Sequence, residues 1–144
     1  MNRKTVTRLM KAVTAGHVAL FRASRGRLGS SVVGMPVLLL TTTGRRTGRP
    51  RVTPLTYIED GERLVVAGSN GGNPWFPGWY LNLRANPRAQ VRLRGRKMNV
   101  TAEVAPARER QRLWPSFIKS YPGYRDYEQK TTRRIPVVLL TPDP

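Results

Sequence analysis

The 144-residue chain is long enough for one domain with a hydrophobic core. It has no Cys and a single His, which excludes disulfides and thiolate chemistry and leads us to expect no metal site. Its formal net charge of +18 favours an anionic partner, which could be lipid, nucleic acid or a phosphorylated cofactor.

Residues 1–30 form the first predicted unit, a basic amphipathic helix followed by a loop. Its apolar residues follow helical spacing, with Lys4, Arg8 and Lys11 on the opposite side. Two interpretations remain open: the apolar side packs on the rest of the domain, or residues 1–27 contact an anionic membrane surface. His17 lies on the apolar side and is therefore predicted to be packed or interfacial rather than catalytic.

Strand patterns predominate in residues 31–144, the second predicted unit. We predict strands at 36–43, 52–58 and 63–68, a helix at 77–86, strands at 89–93 and 97–104, a helix at 107–121 and a strand at 135–141. The first three strands are expected to pair sequentially, and Pro115 is expected to kink or divide the second helix. The predicted fold is α+β, mainly β: a closed or partly closed barrel with peripheral helices.

The turn after the first of these strands is rich in Gly and Arg. Gly44 and Gly48 can adopt positive φ angles, and the neighbouring side chains are hydrogen-bond donors suited to phosphate or carboxylate. These donors are Thr43, Arg45, Arg46, Thr47, Arg49 and Arg51. Composition alone is equally compatible with an ordinary solvated turn and with an anion-binding site.

A loop rich in Gly, Pro and aromatic residues follows the third strand. Gly71 and Gly72 would let a planar ligand approach the backbone, and Trp75 and Phe76 could form the walls of its pocket. The alternative is that the aromatic residues fill the core, which is favoured most for Trp79.

Three tyrosines, Tyr121, Tyr124 and Tyr127, recur at a spacing that would place them on one helical face. A phenol can donate a proton or a hydrogen bond, although tyrosines near a helix end often serve packing and capping. The chain has no dinucleotide-binding or phosphate-loop motif and no hydrolase triad, so an enzyme of this composition would depend on a cofactor.

Three segments together resemble the deazaflavin-dependent nitroreductase and quinone reductase family of actinobacteria: residues 38–51, 79–87 and 121–127. Their order and spacing match the family from about residue 36 to residue 142. The resemblance implies a split β-barrel of the FMN-binding type and the cofactor coenzyme F420, a deazaflavin whose tail carries a phosphate and glutamates. It also implies hydride transfer to a quinone, a nitroaromatic or another unsaturated electrophile.

The resemblance further implies roles for individual residues. Those expected to hold the anionic tail are Thr43, Gly44, Arg45, Arg46, Thr47, Gly48 and Arg51. Those expected along the deazaflavin ring are Ala67, Gly68, Ser69, Asn70, Gly71, Gly72 and Trp79. Trp79, Asn82 and Asn86 are expected mainly to fix the helix predicted at 77–86. Tyr124 is expected to contact the acceptor, with Thr56 across the pocket and with Trp75, Phe76, Tyr121 and Tyr127 as pocket walls.

Two departures from the family concern the acceptor pocket. Asn70 stands where Lys is common, and the loop at 73–78 carries unusual aromatic residues, which would suit an apolar acceptor such as menaquinone. Short apolar runs and the lack of a convincing secretory signal predict a cytoplasmic protein, with peripheral attachment to the inner face of the membrane as an option.

Three alternatives stay open. The first is an FMN-binding oxidoreductase on a similar barrel, and the second is a membrane-surface binder without chemistry. The third, a nucleic-acid-binding barrel, is disfavoured because the arginines cluster at one turn and the aromatic residues lie in a loop rather than on a strand.

Overall fold

The structure is a computed structural model that describes the backbone of residues 31–32 and all of residues 35–144. The predicted N-terminal helix and loop of residues 1–30, including His17, lie outside the described residues. Strands predominate in the described part, which confirms the predicted α+β, mainly β class. No helix in this part is long and apolar enough to cross a bilayer.

The elements alternate between long strand runs and short helices. The strands are β1 (Ser31–Val32), β2 (Met35–Thr43), β3 (Pro50–Thr56), β4 (Ile58–Asp60), β5 (Arg63–Ala67), β6 (Arg88–Leu93), β7 (Arg96–Val104) and β8 (Val137–Pro142). The helices are α1 (Gly78–Ala85), α2 (Ala107–Ser120) and α3 (Gly123–Lys130), and a 3-10 turn (Asn70–Gly72) precedes α1.

The strands form one curled antiparallel sheet. Its strand order is β3, β2, β6, β7, β8, β5, β4, with the short β1 beside the start of β2. The two end strands, β3 and β4, are separated in the chain by Tyr57 alone. Because the ends of the sheet meet at one residue, the sheet must curl back on itself into a barrel. Among the described strands β3 pairs only with β2, so the barrel stays open along β3.

The prediction of three sequentially paired strands was wrong at its second strand. Residues 52–58 have the pattern of one strand, but the chain bends at Tyr57, so that β3 pairs back with β2 and β4 pairs forward with β5. Tyr57 is 1% exposed and its backbone N–H donates to the Pro36 carbonyl at 3.2 Å. Burial of this large ring inside the barrel accompanies the change of partner strand.

Two apolar clusters lie on the two faces of the sheet. The cluster inside the barrel joins Leu38, Val66 and Leu140 to Trp79 and Leu83 of α1. The outer cluster joins residues of β5 and β8 to α2 and α3; among its members are Val65, Leu139, Leu113, Phe117 and Tyr124. Successive residues of β5 and β8 therefore belong to different clusters, which explains the unbroken apolar runs of these strands.

Pro115 does not divide α2, which excludes one of the two predicted outcomes, a kink or a division. The helix continues from Ala107 to Ser120, and a second helix begins only at Gly123. Pro115 lies on the exposed side, where water can satisfy the carbonyl that loses its intrahelical partner. Leu113 and Phe117, at 3% and 0% exposure, hold the opposite side against the sheet, as predicted.

Candidate functional site

The Gly44–Arg51 turn between β2 and β3 is closed by its own backbone. The Gly44 N–H donates to the Arg49 carbonyl and the Gly48 N–H to the Gly44 carbonyl, each at 2.8 Å. Gly48 has a φ of +71°, and a Cβ on Gly44 would lie 3.0 Å from the Arg49 carbonyl oxygen. Both glycines are therefore needed to form the turn, whatever the turn binds.

Asn82 of α1 ties this turn to the barrel. Its side-chain oxygen accepts the backbone N–H of Arg45 at 3.2 Å and the Arg45 guanidinium at 3.0 Å. Its amide nitrogen donates to the Thr42 hydroxyl at 3.1 Å, and the residue is 4% exposed. The sequence indicated only that Asn82 fixes its own helix, whereas the structure shows that it also orients the turn.

The remaining guanidinium groups of the turn are free to bind an anion. Arg46, Arg49 and Arg51 are exposed, and none forms an ion pair with a carboxylate in residues 35–144. The Thr47 hydroxyl accepts the Arg49 N–H at 3.2 Å, which uses one of the predicted hydroxyl groups within the turn. These cations fit a phosphate or carboxylate ligand.

The loop after β5 is held against the rest of the protein at two glycines. The Gly68 N–H donates to the Pro136 carbonyl at 2.8 Å, and a Cβ at Gly68 would come within 2.8 Å of the Pro136 ring. Gly72 has a φ of +81°, and a Cβ there would lie 3.1 Å from the Tyr127 Cα in α3. These two glycines therefore serve protein contacts, whereas Gly71 faces open space, where a ligand could approach.

Asn70 folds the loop on itself. Its side-chain nitrogen donates to the Trp75 carbonyl at 3.2 Å, and its carbonyl accepts the side-chain nitrogen of Asn73 at 2.7 Å. Asn70 has a φ of +49°, a left-handed conformation that Asn tolerates better than most residues. Asn70 thus has a structural role within this loop.

The aromatic residues beside the loop divide into exposed and buried ones. Phe76 is 37% exposed and its ring lies 5.0 Å from that of Tyr80. Trp75 is half-buried. Trp79, at 7% exposure, belongs to the cluster inside the barrel, as the packing interpretation predicted. Trp79 therefore fixes α1, and its contact with a cofactor stays a prediction.

The three tyrosines come together, although not on one shared helical face as the spacing predicted. Tyr121 follows the last residue of α2 and the other two lie in α3, and the ring centroids of the three are 5.7 to 6.2 Å apart. The Tyr124 hydroxyl lies 2.7 Å from the Thr56 hydroxyl. The resemblance placed these two residues across a pocket, whereas here they are in direct contact and Tyr124 is only 5% exposed. A ligand that reaches the Tyr124 hydroxyl must therefore share it with Thr56 or displace Thr56.

Burial sets the protonation of these phenols. It raises the pKa of Tyr124, and the hydrogen bond between Tyr124 and Thr56 offsets part of this effect. Burial, together with the hydrogen bond to Tyr121, raises the pKa of Tyr127 to about 12. Both phenols are therefore protonated at neutral pH and can act as donors.

The cationic turn and the Thr56–Tyr124 pair lie at the two ends of β3. The strand has seven residues, from Pro50 beside the turn to Thr56. At the usual rise of a strand, these ends are about 20 Å apart. The site therefore suits an elongated ligand with an anionic group at one end.

Sequence reasoning missed Arg133, which lies between α3 and β8. Its guanidinium donates to the carbonyl oxygens of Ser69 and Asn73, at 2.9 and 3.1 Å. Nothing distinguishes this residue among 26 Lys and Arg residues in the sequence, because its partners are about 60 positions away. Only the tertiary structure identifies it.

Solved structures show which class of protein has this architecture. A pyridoxamine 5'-phosphate oxidase-like protein from Listeria innocua superposes with a TM-score of 0.54 at 17% identity, covering 75% of this chain and 84% of that one, which shows the fold alone. A structure described as an F420-H2 dependent reductase (FDR-A) has a TM-score of 0.67 at 36% identity, covering 73% and 93% of the two chains. The fold is thus a split β-barrel, as predicted.

Sequence comparison narrows the class to a family. Residues 14–142 match the family described as F420H(2)-dependent quinone reductase. An F420H(2)-dependent quinone reductase of Mycobacterium tuberculosis is 40% identical over 129 residues, which cover 87% of each chain. The chain therefore belongs to the F420H(2)-dependent quinone reductase family. It is an oxidoreductase whose cofactor is reduced coenzyme F420, which confirms the predicted cofactor over the FMN alternative.

Proposed function

We propose that the protein catalyses the reduction of a quinone by reduced coenzyme F420. When bound, the cofactor supplies a hydride, and one proton from the protein or solvent completes the hydroquinone. The observation that carries this proposal is the separation of exposed cations and protonated phenols by about 20 Å along the open strand β3. This placement suits a ligand with an anionic tail and a reactive ring at opposite ends.

The cationic turn would hold the anionic tail. Arg46 and Arg51 have uncommitted guanidinium groups, and Arg45 is aimed by Asn82. Gly44 and Gly48 maintain the turn, and the Thr43 and Thr47 hydroxyls lie within the same segment. Several charge-assisted hydrogen bonds at one turn would supply most of the binding free energy.

The loop from Ala67 to Gly72 would bound the ring. Ser69 is 8% exposed, and Gly68 and Gly72 are fixed by their contacts with Pro136 and Tyr127. A loop held in this way presents the open side of Gly71 and Asn70 in a fixed position. Pre-organisation of this kind brings reactants together at a low entropic cost.

Tyr124 would donate a proton to the reduced acceptor, and Thr56 would orient its hydroxyl. Tyr121 and Tyr127 pack beside Tyr124, Trp75 and Phe76 lie in the loop at 73–78, and these four residues would form the pocket walls. An aromatic pocket suits a naphthoquinone such as menaquinone, with nitroaromatics as alternative acceptors of similar shape.

The basic pattern of residues 1–27 supports a second, separate proposal of peripheral contact with an anionic membrane from the cytoplasmic side. Replacing Lys4, Arg8 and Lys11 by Gln should reduce co-sedimentation with vesicles that contain phosphatidylglycerol. The same change in charge at Arg92, Arg94 and Arg96 serves as the control. Equal loss in the two variants would assign the contact to net charge alone and contradict the proposal.

The quinone proposal is tested with purified protein, reduced coenzyme F420 and a soluble naphthoquinone. We expect saturable cofactor binding and quinone-dependent appearance of the oxidised deazaflavin. A nitroaromatic acceptor in parallel measures the preference between acceptor classes. Binding without turnover on any quinone would contradict the proposed reaction, and no saturable binding at micromolar concentrations would contradict the cofactor site.

A further inference from the structure

Arg133 links two distant points of the loop that follows β5. Its Nε donates to the Asn73 carbonyl at 3.1 Å and its Nη2 to the Ser69 carbonyl at 2.9 Å. These carbonyls lie four positions apart, on either side of the 3-10 turn at Asn70–Gly72. The Arg133 side chain, which is not part of the loop, thereby fixes the distance between the two ends of the 3-10 turn.

The same guanidinium also contacts the aromatic side of the loop. Its central carbon lies 4.9 Å from the centroid of the Phe76 ring, and Phe76 lies 5.0 Å from Tyr80 in α1. A cation over an aromatic face stabilises the position of that ring. Arg133, Phe76 and Tyr80 thus form a stack that connects the loop to the first turn of α1.

The environment of Arg133 differs from that of an ordinary surface arginine. Burial lowers its pKa, and its Nη1 is buried without a hydrogen-bond partner among the described residues. No carboxylate in residues 35–144 forms an ion pair with it. The two carbonyls and the face of the Phe76 ring offset part of the cost of this burial. Arg134, the next residue, is exposed.

We propose that Arg133 is a positioning residue for the acceptor pocket. It acts through the loop: by fixing Ser69, Asn73 and Phe76, it holds the aromatic wall at the distance from Tyr124 that an acceptor ring requires. This inference rests on the proposed quinone reduction. The Gly44–Arg51 turn is closed by its own backbone bonds and held by Asn82, so we expect a change at Arg133 to have little effect at the tail-binding end.

The test compares Arg133→Met and Arg133→Lys with the matched control Arg134→Met. The first readout is the ratio of kcat/KM for a naphthoquinone to kcat/KM for a small benzoquinone, which a loss of folded protein cannot change. We expect Arg133→Met to lower kcat/KM for the naphthoquinone about 10- to 100-fold and to lower this ratio. Arg133→Lys should recover only part of this kcat/KM, because an ammonium lacks the planar guanidinium that donates to both carbonyls.

The second readout needs no turnover. The Gly72 N–H donates to the Ser69 carbonyl at 2.9 Å and the Asn73 N–H to the Asn70 carbonyl at 3.1 Å. Hydrogen exchange at these two amides should accelerate in Arg133→Met, while exchange at Gly44 and Gly48 stays unchanged.

The outcomes separate the inference from the function on which it rests. An unchanged ratio, full recovery in Arg133→Lys, or unchanged exchange at Gly72 and Asn73 would overturn the positioning role. A wild-type protein that reduces no quinone would overturn the proposed function, and the exchange measurement would still decide whether Arg133 holds the loop.

Discussion

The Gly44–Arg51 turn and the tyrosine cluster (Tyr121, Tyr124 and Tyr127) lie towards opposite ends of β3 and are built in opposite ways. The turn is closed by backbone bonds among neighbours and leaves its guanidinium groups exposed. The tyrosine cluster is packed on the outer face of the sheet, and its central hydroxyl is paired with Thr56, 68 positions away. Exposed charge suits affinity and a buried phenol suits proton transfer, so variants at the two ends should alter different kinetic constants.

The largest effect is expected at the buried end. Tyr124→Phe removes the hydroxyl paired with Thr56 and should lower kcat about 100-fold, because general acid catalysis contributes at least this much. Steady-state kinetics with saturating quinone measure it. Tyr57→Phe is the matched control. The Tyr57 hydroxyl is buried without a partner among the described residues, so its removal leaves no other group without a hydrogen bond. Retention of kcat within twofold in Tyr124→Phe would refute its role as proton donor.

A smaller effect, on affinity, is expected at the exposed end. The double variant Arg46→Ala, Arg51→Ala should weaken binding of coenzyme F420 about 10- to 100-fold, with kcat at saturation unchanged. Fluorescence titration at two salt concentrations measures the Kd, which should also lose part of its salt dependence. Arg94→Ala, Arg96→Ala makes the same change in charge at the β6–β7 turn. If both double variants weaken binding equally, the cofactor responds to net charge rather than to this turn.

Asn82 offers a way to weaken the exposed end without removing a charge. Asn82→Ala leaves the Thr42 hydroxyl and the Arg45 N–H without their partner, which should lower the free energy of unfolding by about 2 kcal/mol. The affinity for coenzyme F420 should fall by a smaller factor than in the double arginine variant. Denaturant unfolding and titration measure the two effects, with Asn99→Ala on an exposed strand position as control. An unfolding midpoint equal to that of the control would contradict the linking role.

The smallest effect is expected away from both ends, at Asp60. Hydrogen bonds from Arg112 and then Arg63 hold the pKa of Asp60 well below its ordinary value. A carboxylate with a lowered folded pKa stabilises the fold above its unfolded pKa of about 4 and loses this contribution as the pH falls through the folded value. The Tm of wild type should therefore exceed that of Asp60→Asn by a few degrees at neutral pH, and the difference should shrink in acid. Glu62→Gln is the exposed control, and a difference independent of pH would exclude this cause.

The Gly44–Arg51 turn and the tyrosine cluster also differ in how much of their structure the sequence predicted. The turn is made of eight consecutive residues, so its glycines and arginines could be interpreted locally. The contact between Thr56 and Tyr124 joins segments that sequence spacing does not relate, and only the resemblance to a family placed them together. Only the structure shows that the hydroxyl groups of Thr56 and Tyr124 are in direct contact.

Outside the site, the main error has the same origin. The apolar pattern of residues 52–58 indicates a strand but carries no sign of the bend at Tyr57, because the bend depends on which partner strand each half meets. The role of Arg133 could not be predicted for the same reason. Its partners are backbone carbonyls, which every residue type has, so the sequence does not identify them.

The residues of β3 decide what can occupy the opening of the barrel. A strand with one free edge is a template for another strand, and proteins that avoid such pairing place prolines and charges there. Pro50 and Pro54 have no N–H to offer, and Arg51 between them adds an exposed charge. A further backbone would therefore find few donors along this edge. Within the described residues, β3 therefore offers a poor edge for pairing with a further strand, whereas a small molecule does not depend on such backbone donors.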